Sequence, residues 1–149
     1  MIRVQGITDV GLVRKENQDA YAVREETDSG HTICVVCDGM GGVAGGKLAS
    51  RIAVTTYLEE LEKVLSASMD PEQLREASYY AVSRANWAIR AAAGESPEYG
   101  SMGTTLVSAV VYEGGAVITN VGDSRAYHIA AGKITRVTRD HSLVQSMVE

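Results

Sequence analysis

The sequence has no basic excess, no long apolar run and only two cysteines, and each shortage closes off a class of function. Fourteen lysines and arginines stand against nineteen acidic residues, for a net charge of −5. That balance disfavours sequence-independent binding to nucleic acid or to an anionic membrane surface. No stretch approaches the roughly 20 apolar residues that a membrane-spanning helix needs. The N-terminal MIRVQGITDV lacks the long apolar segment of a secretory signal, so a cytoplasmic protein is expected, with neither nucleic acid nor membrane as partner. Repeats, low-complexity tracts and linkers are missing too, and residues 1–149 are expected to form a single domain.

The two cysteines, Cys34 and Cys37, make one C-x-x-C inside "HTICVVCD". That stretch has the character of a strand, on which residues three apart point to opposite faces. A second C-x-x-C, which a four-thiolate zinc site requires, is absent. Two reduced cysteines, buried rather than reactive, are expected.

What is present is an ordinary globular composition, 45% hydrophobic and 22% charged. Three hairpin-like units and two helices account for most of it. "DAYAVREE" and "HTICVVCD" flank the turn "TDSG"; "TTLVSAVVY" and "AVITNVG" flank "EGG"; "SRAYHIA" and "KITRVTR" flank "AG". After Gly45-Gly46 a helical stripe runs through Val54, Leu58, Leu61 and Leu65. A second helix is announced by Asp70 as N-cap, Pro71 at the first position and Gln73 closing a capping box. Its stripe is Leu74, Ala77, Ala81, Ala85, Ala88 and Ala92, small side chains that suit close packing on a neighbour. The terminal "SLVQSMVE" carries the four-residue spacing of a further helix without a closing cap.

The acids acquire meaning from hairpin geometry. A turn centred on Asp28 and Ser29 sets Asp19 opposite Asp38 at the open end of an antiparallel pair. Two carboxylates about 4 Å apart repel by roughly 4 kcal/mol at an effective dielectric near 20, so a proton, a basic partner or a cation must offset them. In the same way a turn near Ala131 and Gly132 sets Asp123 opposite Asp140. For Asp140, in "RDHS", a helix cap or turn is the preferred reading. For Asp123, in "NVGDSR", a turn cap and a functional role stand level. Carboxylates with backbone carbonyl and water suit hard cations such as magnesium and manganese. The glycine-rich run after Asp38 fits this, with Gly39 letting a carbonyl approach an ion and Gly41 and Gly42 leaving space for a substrate. Gly41 to Lys47 also falls one residue short of a phosphate-binding P-loop. Leu48 stands where that loop needs a hydroxyl, however, and the strands pair locally rather than alternating with helices.

Five separated stretches, "TDVGLVRKENQDAY", "VVCDGMGG", "MGTTLV", "NVGDSRAY" and "TRDHSLVQ", together resemble the metal-dependent type 2C serine/threonine protein phosphatases, most closely the bacterial branch. The resemblance spans Thr8 to Gln145. It implies an α+β fold, an αββα sandwich of two antiparallel sheets flanked by helices. It also implies a centre of two or more Mn²⁺ or Mg²⁺ ions at one end of the sheets. By matching motif positions, Asp38 would bridge two metals, the Gly39 carbonyl would ligate one, Asp19 would contact the cluster directly or through water, and Asp123 would help hold a weaker ion. Arg14 would grip the substrate phosphate, its planar fork suiting two oxygens at once. The implied reaction is hydrolysis of phosphoserine and phosphothreonine proteins by metal-activated water, without a covalent enzyme intermediate.

The pattern departs from the family in two places. Many eukaryotic relatives carry a histidine after the "DG", where this chain has Met40, which cannot donate a proton; His31, His128 and His141 lie elsewhere. The family domain also runs well past "SMVE", and its later aspartates have no counterpart in this sequence. The chain is therefore expected to be the N-terminal portion of such a domain, incomplete at its C-terminal end, weak in metal binding and poor in turnover. Exposed sheet edges and apolar faces would then favour self-association. The alternative is a non-catalytic module that keeps the fold as a binding or regulatory surface.

Overall fold

The computed structural model describes residues 1–142, 146 and 147. The helix expected over "SLVQSMVE" lies largely outside the described residues. The first hairpin is β1 (Asp19–Arg24) with β2 (Thr32–Met40), followed by helices α1 (Gly42–Val64) and α2 (Pro71–Ala93). A short β3 (Gly103–Thr104) leads into β4 (Leu106–Tyr112), β5 (Gly115–Val121), β6 (Tyr127–Ala130) and β7 (Lys133–Arg136). Strands β1, β2, β4 and β5 lie side by side in that order, all antiparallel, with β3 pairing the end of β2. The β6–β7 ribbon forms a second, two-stranded sheet. The architecture is α+β with two antiparallel sheets.

Local chemistry explains the elements. At α2, the Asp70 side chain accepts from the Gln73 amide at 2.8 Å and Gln73 accepts from the Asp70 amide at 2.9 Å. This capping box satisfies two backbone donors that a helix start otherwise leaves unpaired. The β6–β7 turn places both Ala131 and Gly132 at positive φ, which a tight two-residue hairpin demands. Helix α1 begins at Gly42, before the two glycines expected to precede it. Glycine is a poor helix former, by about 1 kcal/mol per residue, so packing rather than propensity holds this first turn.

The helices pack on each other and on one face of the larger sheet. Ile33, Val35 and Cys37 of β2 alternate onto that face and meet Tyr57 and Leu61 of α1 and Leu74 and Ala81 of α2 in one core cluster. Fully burying a side chain such as Leu61 or Leu74 contributes about 1.5–3 kcal/mol. Small residues at Ala77, Ala81 and Ala85 bring α2 close, as its alanine stripe required, although the buried line ends on Ile89. A polar bridge crosses this core at a fully buried tyrosine: Tyr57 and Ser108 share a hydroxyl hydrogen bond of 2.7 Å.

Every second residue of β2 therefore points away from the helices, and that side is less covered. Tyr21, Val36 and Ile118 are exposed there. The strand expected to run unbroken from Thr104 to Tyr112 is interrupted at Thr105. That break falls at the end of the sheet where β1 starts, β2 finishes and α1 begins.

Candidate active site

The β1–β2 register pairs Asp19 with Asp38, as the turn geometry requires. Backbone on both sides of the pair is held in place. The Asn17 side chain accepts from the Asp19 amide at 3.0 Å and donates to the Thr8 hydroxyl at 2.7 Å. The Gln18 carbonyl accepts from the Gly39 amide at 3.1 Å, and its side chain donates to the Gly42 carbonyl at 2.8 Å. Asp38 accepts at its carbonyl from the Thr105 amide, 2.9 Å, and donates its own amide to the Thr105 hydroxyl, 3.0 Å. Two carboxylates that repel are thus fixed opposite each other by backbone they do not control.

Electrostatics register the strain. The Asp38 carboxyl is pushed above the usual carboxylate range by partial burial first, then by the charge of Asp19, a hydrogen bond with Asp19 and the charge of Asp123. The charge of Arg14 pulls it the other way. The structure therefore brings Arg14, Asp19 and Asp123 each within electrostatic reach of Asp38. An open, mainly polar cavity of about 690 Å³ is walled by Arg14, Asp19, Asp38 and Gly39, with Asp9 and Glu16 also on it. Asp123 acts on Asp38 from outside that wall.

Among the described residues, no three Asp, Glu, His or Cys side chains converge tightly enough to bind a metal unaided. The donors that do converge are two opposed carboxylates, one of them disfavoured as a bare anion. Hard oxygen donors in excess negative charge suit Mg²⁺ or Mn²⁺. The residues fit such an ion as part of a coordination shell that water or further donors complete.

The glycines have a packing reason as well as the one read from sequence. A side chain at Gly39 would run into the Gly46 carbonyl and come within 2.8 Å of the Gln18 carbonyl. The end of β2 is therefore pressed against the first turn of α1 with no room for a Cβ. Gly42 faces open space on the cavity, as expected, whereas Gly41, expected to do the same, is closed off by the Met102 backbone. The lysine of the P-loop-like run is engaged elsewhere: Lys47 pairs with Glu16 at 3.4 Å, and the sheet is antiparallel rather than parallel.

Asp140, read from sequence as a helix cap or turn, is held in an ion pair. Arg125 grips it with both nitrogens, at 2.7 and 3.0 Å, and holds its carboxyl below the usual range. Regular β6–β7 pairing stops at Tyr127 and Arg136, but backbone bonds from Val137 to Ala126 and from His141 to Gly122 keep the two segments side by side past Asp123 and Asp140. Both cysteines are free, with Cys34 half-buried and Cys37 buried; burial pushes the Cys37 thiol up to about 12, with a hydrogen bond to Thr104 opposing it. His31 is buried against Ser29, His128 is exposed on β6, and His141 bonds the Gly122 backbone. Met40 is exposed on the cavity.

Sequence reasoning missed the residues that position the acids. Asn17, Gln18 and Thr105 act through bonds to residues as many as 67 positions away, which no local pattern reveals. Asp9 and Glu16 had only their proximity to Arg14 and Asp19 in the chain as a signal.

Comparisons with known proteins agree on one family. A family described as Protein phosphatase 2C matches residues 13–145. The serine/threonine phosphatase Stp of Listeria monocytogenes is 36% identical over 141 residues, covering 95% of this chain and 55% of Stp. The serine/threonine protein phosphatase PstP of Mycobacterium tuberculosis is 34% identical and matches the whole chain but 27% of its own length. Among solved structures, Stp1 of Staphylococcus aureus superposes with a TM-score of 0.81 at 36% identity, over 95% of this chain and 55% of Stp1. The serine/threonine phosphatase of S. agalactiae gives 0.82 at 30% identity, over 95% and 57%. The chain spans about half the length of most of the relatives it matches.

Proposed function

The chain belongs to the protein phosphatase 2C family, and from that premise we propose that it carries the Asp19–Asp38 corner of a metal-dependent phosphatase acting on phosphoserine and phosphothreonine proteins. The observation that carries the reading is the opposed carboxylate pair at the wall of a polar cavity that Arg14 also lines. Asp19, Asp38 and the Gly39 carbonyl would hold a divalent cation, Mn²⁺ or Mg²⁺, with Asp123 adding negative charge for a further ion. When bound, such a cation supplies Lewis acidity to water and to phosphoryl oxygens.

The chain's own residues do the rest. Asp19 and Asp38 concentrate negative charge where a cation would sit, and a bound cation relieves their repulsion. Arg14 offers a planar pair of donors to two phosphate oxygens and orients the phosphomonoester within the cavity. The fixed β1–β2 register keeps that arrangement constant through the reaction, which is the kind of preorganisation on which electrostatic catalysis depends. Met40 cannot protonate the departing seryl or threonyl oxygen, so that proton comes from water or from another group.

The lack of any three converging ligand side chains among the described residues favours a second reading, a module that binds a cation or phosphate without turning substrate over. Two measurements separate the readings: Mn²⁺ binding by calorimetry, and Mn²⁺-dependent phosphate release from an aryl phosphate, each with Asp38→Asn as control. Binding and release that both vanish in Asp38→Asn support the phosphatase. Binding without release supports the module. Release that needs no metal, or binding that Asp38→Asn leaves intact, overturns both.

A further inference from the structure

Thr105 occupies the one place where the ladder beside β2 is interrupted. Gly39 pairs with Thr104 and Val36 with Val107, so the same register sets Asp38 opposite Thr105. An antiparallel pair at this position would exchange two backbone bonds. Only one forms, from the Thr105 amide to the Asp38 carbonyl. The Asp38 amide donates instead to the Thr105 hydroxyl at 3.0 Å, while the Thr105 carbonyl accepts from the Thr104 hydroxyl at 2.9 Å.

The same hydroxyl has a second partner. Thr105 Oγ1 lies 2.6 Å from the Ser124 hydroxyl, the residue next to Asp123. A hydroxyl has one proton and two lone pairs, so it can accept from Asp38 and still bond Ser124 in either direction. The methyl is engaged as well. Gly122 sits at φ +98°, and a side chain there would come within 2.8 Å of Thr105 Cγ2. The Gly122–Ser124 loop is thus closed over one threonine, which also carries the amide of Asp38.

We infer that Thr105 is a positioning residue that assembles the cation site from two distant parts of the chain, locking Asp38 on β2 to the Asp123 loop through a single hydroxyl. This rests on the reading of Asp38 and Asp123 as cation ligands. Without that hydroxyl the Asp38 amide loses its acceptor and the loop loses its bond to β2, leaving Gly122 held only from the side of Asn120 and His141, and the third carboxylate is less closely held near the first two. The two ends of the side chain can be tested apart: serine keeps the hydroxyl and valine keeps only the shape.

The test is Mn²⁺ affinity of the full chain, measured by calorimetry and by the paramagnetic resonance of bound Mn²⁺, well below the melting temperature. Thr105→Val weakens binding about tenfold, what one net hydrogen bond is worth, and Thr105→Ser stays within about threefold of wild type. Ser124→Ala weakens binding too, and because both act through one contact, Thr105→Val/Ser124→Ala is no weaker than Thr105→Val alone. A purely structural hydroxyl would lower melting temperature and leave affinity unchanged. Wild-type affinity in Thr105→Val, or penalties that simply add, overturn the inference. Should Thr105→Val not fold, unchanged affinity in Ser124→Ala overturns it equally. Binding that Asp38→Asn abolishes but Thr105→Val spares removes only the role of Thr105, whereas a wild-type chain with no Mn²⁺ affinity removes both readings.

Discussion

Asp38→Asn should make the metal-free protein more stable while destroying its response to a cation. Asp19 and Asp38 face each other across β1 and β2, and side chains so placed have Cβ atoms about 4.5–5.5 Å apart. Charges about 5 Å apart repel by about 3 kcal/mol at a dielectric near 20 and by just under about 1 kcal/mol in bulk water. Both residues are exposed, so the lower figure applies, about 1 kcal/mol after solvent screening. For a chain of this size that is a rise of about 2–4 °C in melting temperature in EDTA. Mn²⁺ at about 100 times its Kd should stabilise the wild type by about 2.7 kcal/mol and leave Asp38→Asn unmoved.

The pH dependence has a definite sign. Asp38 titrates above its ordinary range in the fold, so the folded state binds more protons than the unfolded one across that interval, and metal-free stability falls as pH rises through it. The advantage of Asp38→Asn should therefore vanish in acid, where Asp38 is already neutral, and reach its full size above the raised pKa. Thermal melts in EDTA and in Mn²⁺, repeated from pH 4 to pH 8, measure all of this. A variant less stable than wild type without metal, or one that Mn²⁺ stabilises equally, would refute the reasoning.

Gly39→Ala should cost about 2 kcal/mol in urea unfolding, because its methyl must displace the Gly46 backbone; a neutral effect would mean that β2 and α1 are not in contact there. Asp140→Asn should lower stability at pH 7 and leave Mn²⁺ affinity unchanged, since Asp140 is engaged by Arg125. Its wild-type contribution is present above the ordinary aspartate range and lost as pH falls through its lowered value, so the two proteins should converge in acid. A drop in Mn²⁺ affinity would restore Asp140 as a ligand. Arg14→Lys keeps the charge near Asp38 but not the fork, so inorganic phosphate binding in the presence of Mn²⁺ should weaken about tenfold with Mn²⁺ affinity unaltered; equal phosphate binding would take Arg14 out of the site.

Features that depend on neighbours in the chain were legible in the sequence. The Asp70 capping box, the Ala131-Gly132 turn and the opposition of Asp19 and Asp38 each follow from short spacings that leave the backbone one good solution. The same arithmetic could not foresee how the ribbon thins near Asp123 and Asp140: regular β6–β7 pairing ends at Tyr127 and Arg136, single backbone bonds such as that from His141 to Gly122 carry the register further, and Arg125 takes up the Asp140 side chain. The start of α1 was placed late for a related reason: glycine propensity opposes a helix at Gly42, and contact with β2 and Met102 overrides it. Thr105 was invisible because its partners, Asp38 and Ser124, meet it only after the sheet has formed.

The two faces of β2 divide the labour of the molecule, and the division explains why the site is costly without being destabilising overall. Ile33, Val35 and Cys37 turn inward and are essentially inaccessible to solvent, anchoring the strand in the helix-covered core. Cys34, Val36 and Asp38 turn the other way, so a period of two carries Asp38 out of the core without any irregularity in the strand. The core contacts fix the strand, the strand fixes the carboxylates, and repulsion of about 1 kcal/mol cannot relax by rotating the backbone. Dehydration of Asp38 is already the largest influence on its carboxyl. Covering the exposed Tyr21 and Val36 beside it would dehydrate it further and make the bare anion less favourable still. Apolar cover on that face and cation binding at its end are therefore energetically coupled, each strengthening the case for the other.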